Sequence, residues 1–246
     1  MNLKPYPTAH SAACSGGRFP AVLASALFVF ALWSVPAQAT DNPDELSRAN
    51  QALFTANHLE TIKEPVALLY DFEKSGSLED GFSDKVIATI TDILPSGRKN
   101  MSFKFLTGKQ KIRFDNIHET EGNPVFMLFL ERDAREMQRM TGGNALYFRN
   151  RIRQGLASTN EIKPTTFTFD GKEYKGREID VHPYAEAELK ARFKRFSDKT
   201  YTFILSDEIP GGIYQVRSLV PAEAGTDSNE PLVEETMTFR AVGTRH

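Results

Sequence analysis

Val66-Ala67-Leu68-Leu69-Tyr70-Asp71-Phe72-Glu73 is the stretch on which the fold turns. In an extended chain Val66, Leu68, Tyr70 and Phe72 fall on one side and Ala67, Leu69, Asp71 and Glu73 on the other, giving a strand with one wholly apolar face. Pro65, just before it, ends a different period. Upstream, Leu46, Ala49, Leu53 and Ala56 recur at helical spacing. Asp41 or Asn42 can cap that segment, Pro43 suits its first turn, and Asp44 and Glu45 favour its positive end. Residues 41–57 therefore read as a helix, and the chain changes to strands at Pro65.

Downstream the two-residue period persists. Lys85 to Leu94 is a β-branched run closed by the turn Pro95-Ser96-Gly97. Met101, Phe103 and Phe105 alternate with Ser102, Lys104 and Leu106. After Thr107-Gly108, the residues Lys109, Lys111 and Arg113 alternate with Gln110, Ile112 and Phe114, so a further strand is expected there. Sequential hairpins of this kind make an antiparallel sheet with one wet face.

The centre breaks the pattern. Asn123-Pro124 is a helix start, Val125 to Leu130 is continuously apolar, and Gly142-Gly143 ends the segment. Glu131 with Arg135, and Arg132 with Glu136, stand four apart as surface pairs. In 144–157, Ala145, Phe148, Ile152 and Leu156 form a helical stripe, although the segment also alternates passably as a strand. A helical hairpin is thus set among strands. Strands resume at Thr165 to Phe169, turn at Asp170-Gly171 and return over Tyr174 to Val181. Pro183 to Phe196 has helical spacing, Tyr201, Phe203 and Leu205 make a strand, and Pro210-Gly211-Gly212 turns it into Ile213 to Val220. Residues 221–235 hold five acids and no base and read as a flexible acidic loop; Thr236 to Val242 reads as a last edge strand. The fold class expected is α+β: a predominantly antiparallel, strongly curved or unclosed barrel-like sheet with a leading helix and a central helical hairpin.

The amino terminus is of another kind. Lys4 and Arg18 precede an uncharged stretch, and Ala37-Gln38-Ala39 supplies a small-residue step, the order of a secretory signal peptide over residues 1–39. Cleavage is expected between Ala39 and Thr40, giving a periplasmic or secreted chain with one mature domain, 40–246. The 15 uncharged residues of 21–35 fall short of the ~20 of a spanning helix. The leader carries the only cysteine, Cys14, and the only tryptophan, Trp33. An exported chain with no cysteine must rest on its core, without disulfides. The mature part, with 28 bases against 32 acids, argues against nucleic acid as a partner.

No catalytic motif is found, and neither metal nor cofactor is expected. His58, His118, His182 and His246 make no zinc spacing, and Ser96-Gly97-Arg98-Lys99 places a serine-x-x-lysine spacing in a hairpin turn, where that chemistry needs a helix start. Two features remain. Arg132, Arg135, Arg139, Arg149, Arg151 and Arg153 fall within one short span, suited to anions or to plain solvation of a helical face. The strand aromatics, by alternation, mostly point inward: Phe103, Phe105, Phe167, Phe169, Tyr201 and Phe203 either fill a core or line an apolar cavity.

Exported chain, leading helix, antiparallel meander, central helical plug and further hairpins make an order that resembles the periplasmic lipoprotein-sorting carrier (LolA/LolB-like) superfamily. Ser206-Asp207-Glu208-Ile209-Pro210-Gly211-Gly212, set between two strands, is similar to a hairpin in uncharacterised periplasmic families. The resemblance spans residues 43–242 and is architectural. It implies a curved sheet that holds acyl chains and performs no chemistry, so a binding or carrier protein for a lipid or lipoprotein is the expectation, with the six aromatics as ligand contacts. The alternative is a module for an envelope protein partner, using Arg149, Arg151 and Arg153 on an arginine-rich helical face. A filled sheet interior with an exposed apolar helix face would favour the module.

Overall fold

The computed structural model describes residues 46–186, 193–223, 225 and 229–244. The leader, the start of the first helix and most of the segment read as helical after Pro183 lie outside the described residues. Within them, α1 (Arg48–Asn50) runs into a single π turn, Gln51–Thr55, and Ser47 caps it by accepting from the Asn50 amide at 3.1 Å. The strands are β1 (Ala67–Ser75), β2 (Phe82–Ile93), β3 (Lys99–Phe105), β4 (Ile117–Thr120), β5 (Lys163–Phe169), β6 (Lys172–Val181), β7 (Thr200–Leu205), β8 (Ile213–Val220) and β9 (Val233–Gly243). Between β4 and β5 stand α2 (Val125–Thr141) and α3 (Ala145–Ser158). The ambiguous segment 144–157 is helix.

All nine strands join one unclosed, curved antiparallel sheet in the order β4-β3-β2-β1-β9-β8-β7-β6-β5. Register shifts at Leu69/Tyr70, Ile90/Asp92 and Ile204/Leu205 add the local twist that curls it. Two four-stranded meanders, β1–β4 and β5–β8, are therefore stitched together by the last strand. This corrects the expectation of an edge strand: β9 pairs with β1 on one side and β8 on the other. It also shortens the acidic loop, because Val233, Glu234 and Glu235 already belong to β9. Glu234 accepts from Arg217 at 2.6 Å, so acids that read as solvated are strand residues with partners.

The strand expected over Lys109–Phe114 is replaced by a 3-10 turn, Gly108–Gln110, and a single bridge from Phe105 to Ile112. Leu106 and Gly108 have φ of 60° and 49°, which turns the backbone away from the ladder. The Asp84 carboxylate fastens the turn by accepting from the Thr107 amide at 2.7 Å. At the other edge, Asp170 and Gly171 both adopt positive φ, as a two-residue hairpin turn requires.

α2 lies on the apolar face of the sheet. Asn123 Oδ1 accepts from the Val125 amide, and Gly142 at φ 69° ends the helix. Phe126 meets Phe203 edge-on with ring centroids 6.2 Å apart, and Phe129 stands 6.1 Å from Phe72. α3 packs against α2 and approaches β6 closely at Gly155, where a Cβ would stand 2.9 Å from Val181 Cγ1.

Candidate functional site

The structure divides the six aromatics expected at one site into two groups. Phe103 and Phe105 stand beside Ala88 and Val86, which face Leu68 and Tyr70. Phe203 reaches the same side through Val216, Met237 and Phe72. Tyr201, two residues from Phe203, shares it. Phe167 pairs with Tyr174, toward the turn end of the β5–β6 hairpin and distant along β6 from Ile179, which pairs with Phe203. Phe169 follows at the tight Asp170-Gly171 turn and stands 5.5 Å from Phe239, a buried ring that packs edge-on against Tyr70. Phe167 stacks on Tyr214 at 3.8 Å and on Tyr174 at 5.8 Å.

On the covered face, Phe105, Tyr201 and Phe203 are fully buried, while Phe103 is half-buried. The space in front of them holds α2. That layer is also polar at its centre, a feature the sequence reading missed. Asp133, on the inward stripe of α2 with Phe126, Phe129 and Met137, accepts from Lys199 Nζ at 2.6 Å, from Ser218 Oγ at 3.0 Å and from the Tyr201 hydroxyl. Burial, and then the Asp133 charge beside it, push the Tyr201 phenol well above its ordinary pKa, so it stays a donor. The neighbouring Arg132 does not form the surface pair with Glu136 expected from their spacing. It turns inward to Glu235 on β9 and lies over the Phe72 ring at 4.9 Å. Lys74 reaches Glu79 at 2.7 Å and Glu235 at 3.7 Å. A hydrogen bond from Arg139, then the bond from Lys74, holds the Glu79 carboxyl at about 2, against the cost of its partial burial. An acid at a core-facing helical position was the signal available in the sequence.

The three arginines expected to form one contact face do not share it. Residues 149 and 151 are two apart on a helix and point in different directions. Arg149 donates twice to Glu131, at 2.6 and 2.7 Å. Arg151, on the other side, donates to the Pro183 carbonyl at 2.9 Å and to Glu186 at 2.8 Å. Arg153, one turn from Arg149, is exposed and has no hydrogen-bond or ion-pair partner among the described residues.

The outer surface of the helical layer carries two depressions. One, of about 480 Å³, is bordered by Leu53, Phe54, Arg98, Glu121, Phe126 and Met127. The other, of about 210 Å³, lies between the π turn, α2 and α3. Phe54 and Met127 line both and are 46% and 39% exposed. Leu146 at 57% continues the exposed apolar series on α3. Beneath the larger depression, Asn123 Nδ2 donates to Tyr70 Oη and to the Gly211 carbonyl, both at 2.9 Å. Gly211 sits at φ +83°, and a Cβ there would lie 2.6 Å from Leu68 Cδ1, so the Pro210-Gly211-Gly212 turn needs glycine for both conformation and space.

Among the described residues no group of three or more His, Cys, Asp or Glu side chains converges as metal ligands, and no helix is long and apolar enough to cross a membrane. No protein-family model matches the chain, and no curated protein matches it in sequence. Solved structures similar to it include the Mycobacterium tuberculosis lipoprotein LppX, at 10% identity and TM-score 0.34, covering 77% of this chain and 93% of that one. Another is the LolA superfamily protein NE2245 from Nitrosomonas europaea, at 8% identity and TM-score 0.21, covering 80% and 94%.

Proposed function

We propose that the chain is an exported binding or carrier protein for an apolar or amphiphilic ligand, a lipid or the acyl chain of a lipoprotein, and that it performs no chemistry on it. The observation that carries this reading is the pair of surface depressions meeting at Phe54 and Met127, apolar side chains left open beside the arginines of α3. Together they offer what an amphiphile needs, an apolar wall next to a cation, at a size suited to a small ligand. Export, with a mature chain beginning at Thr40, places such a protein where envelope lipids are handled. The test is native mass spectrometry of the purified mature protein, with a fluorescent fatty-acid analogue titrated in parallel. Co-purified lipid, or saturable binding at micromolar analogue, is the expected result. A folded protein that binds no amphiphile at tens of micromolar would defeat the reading.

A second reading has its own support. Phe105, Tyr201 and Phe203 are buried under α2, and Phe54 and Leu146 are exposed, the combination that favours an interaction module for an envelope protein. Retention of that partner by wild type, and its loss on charge reversal at Arg153, in a protein that binds no amphiphile, would select it.

A further inference from the structure

The smaller depression carries more information than its size suggests. Its apolar wall is made by Phe54, Met127, Ile152 and Leu156, and its rim holds Asn50 and Arg153. Ile152 and Leu156 are buried and fix the floor on α3, whereas Phe54 and Met127 stand open to whatever enters. The charges at the rim are unequally committed. Glu131 accepts from Arg135 at 2.7 Å and twice from Arg149. The bonds from Arg149 and then Arg135 hold its carboxyl below the usual range despite partial burial, so it remains an ionised, satisfied acceptor. Arg149 is correspondingly occupied. Arg153 is left as an uncommitted guanidinium at the edge of an apolar depression, with the Asn50 side chain also without a partner among the described residues.

We infer that this depression is the headgroup site for a single-chain alkyl carboxylate, with Arg153 as the carboxylate ligand and Asn50 as an auxiliary donor. The inference rests on the amphiphile-binding reading above and names where and how the ligand is held. Guanidinium and carboxylate match as a planar, two-bond pair, and here the pair forms against an apolar wall without displacing an existing ion pair. The volume of about 210 Å³ has room for one alkyl chain. A longer tail continues past Phe54 and Met127 into the adjoining depression. The ligand thus lies on the outer surface of the helical layer, on the far side of α2 from Phe105 and Phe203.

The experiment uses dodecanoate below its micellar concentration, displacing a fluorescent fatty-acid analogue, with dodecanol and dodecyltrimethylammonium as neutral and cationic controls. Wild type should prefer dodecanoate. Arg153→Glu, on an exposed side chain, should weaken dodecanoate by about tenfold or more, the scale of one lost charge-assisted contact, and leave dodecanol unchanged. Met127→Glu should weaken dodecanoate and dodecanol alike. Circular dichroism and urea midpoints confirm that both variants fold. Equal binding of dodecanoate by wild type and both variants overturns the site while the functional reading stands, most directly if Phe203→Asp, shown to be folded, abolishes binding instead. Equal affinity of wild type for the carboxylate and the alcohol overturns the headgroup assignment. Absence of binding to any of the three overturns the functional reading as well.

Discussion

His58 is held by two hydrogen bonds that specify its charge. Its Nε2 faces the Ala52 carbonyl at 2.8 Å and must carry the proton, while Nδ1 accepts from the Asn123 amide at 3.3 Å. A second proton would sit on Nδ1 against another donor. Burial lowers the pKa below 6.5, the bond to Ala52 opposes that shift, and Arg177 lowers it further while Asp207 offsets it. With the folded value depressed, the unfolded chain takes up the proton first. Stability due to this group is therefore complete above pH ~6.5 and is lost as pH falls from there toward the folded value. Urea midpoints measured from about pH 8 to 5 should fall over that window in the wild type, and the decline should be smaller in His58→Gln. Equal slopes in the two proteins would place the pH sensitivity elsewhere. At this scale the sequence was least legible. His58 stood out only as a histidine without a zinc spacing, and Arg132 read as the surface partner of Glu136. Which of two adjacent charged residues turns inward depends on whether a buried partner waits on a strand about 70 to 100 residues away. Local spacing carries no trace of that.

Among elements, α2 was the most legible. Val125 to Leu130 is apolar on nearly every side, a pattern that a helix tolerates when enclosed, and of those six residues five are buried. Met127 is the exception and marks the depression. Phe129 is 1% exposed and packs on Phe72. Phe129→Ala should cost about 3–5 kcal/mol in a denaturant titration, the usual range for truncating a buried phenylalanine. A loss below ~1 kcal/mol would mean that the helix is not held where it lies. The hairpins at Pro95-Ser96-Gly97 and Asp170-Gly171 were equally legible, because glycine and turn residues act through local backbone preference. The strand expected at Lys109–Phe114 was not. Its alternation is genuine, but a strand also needs a neighbour in register, and the turn at Leu106 and Gly108 removes it.

At the scale of the whole molecule, the last strand decides the architecture. Without β9 the meanders β1–β4 and β5–β8 share no ladder, and β1 and β8 become open edges. Glu235 would also be missing from beneath Arg132 and Lys74, leaving two buried cations without that carboxylate. A chain truncated after Leu232 should therefore lose cooperative unfolding and expose apolar surface, read as a flattened urea transition and dye binding. A sharp transition close to that of the full chain would show that the two meanders hold without their shared strand.

The sequence alone determined most of the strand segments and the two central helices through period and turn chemistry, the α+β class, and the expectation of export. These properties are written locally, in the alternation of 66–73, the caps at Asn123 and Gly142, and the charge pattern of the leader. Tertiary structure alone decided that Thr236–Val242 lies at the sheet centre, that Phe167 and Phe169 gather with Tyr214 and Phe239, and that Arg153, unlike Arg149 and Arg151, stands uncommitted. The reason is common to all three. Strand order, ring packing and charge pairing are relations between residues far apart in the chain, and each is settled by which surfaces meet when the core closes.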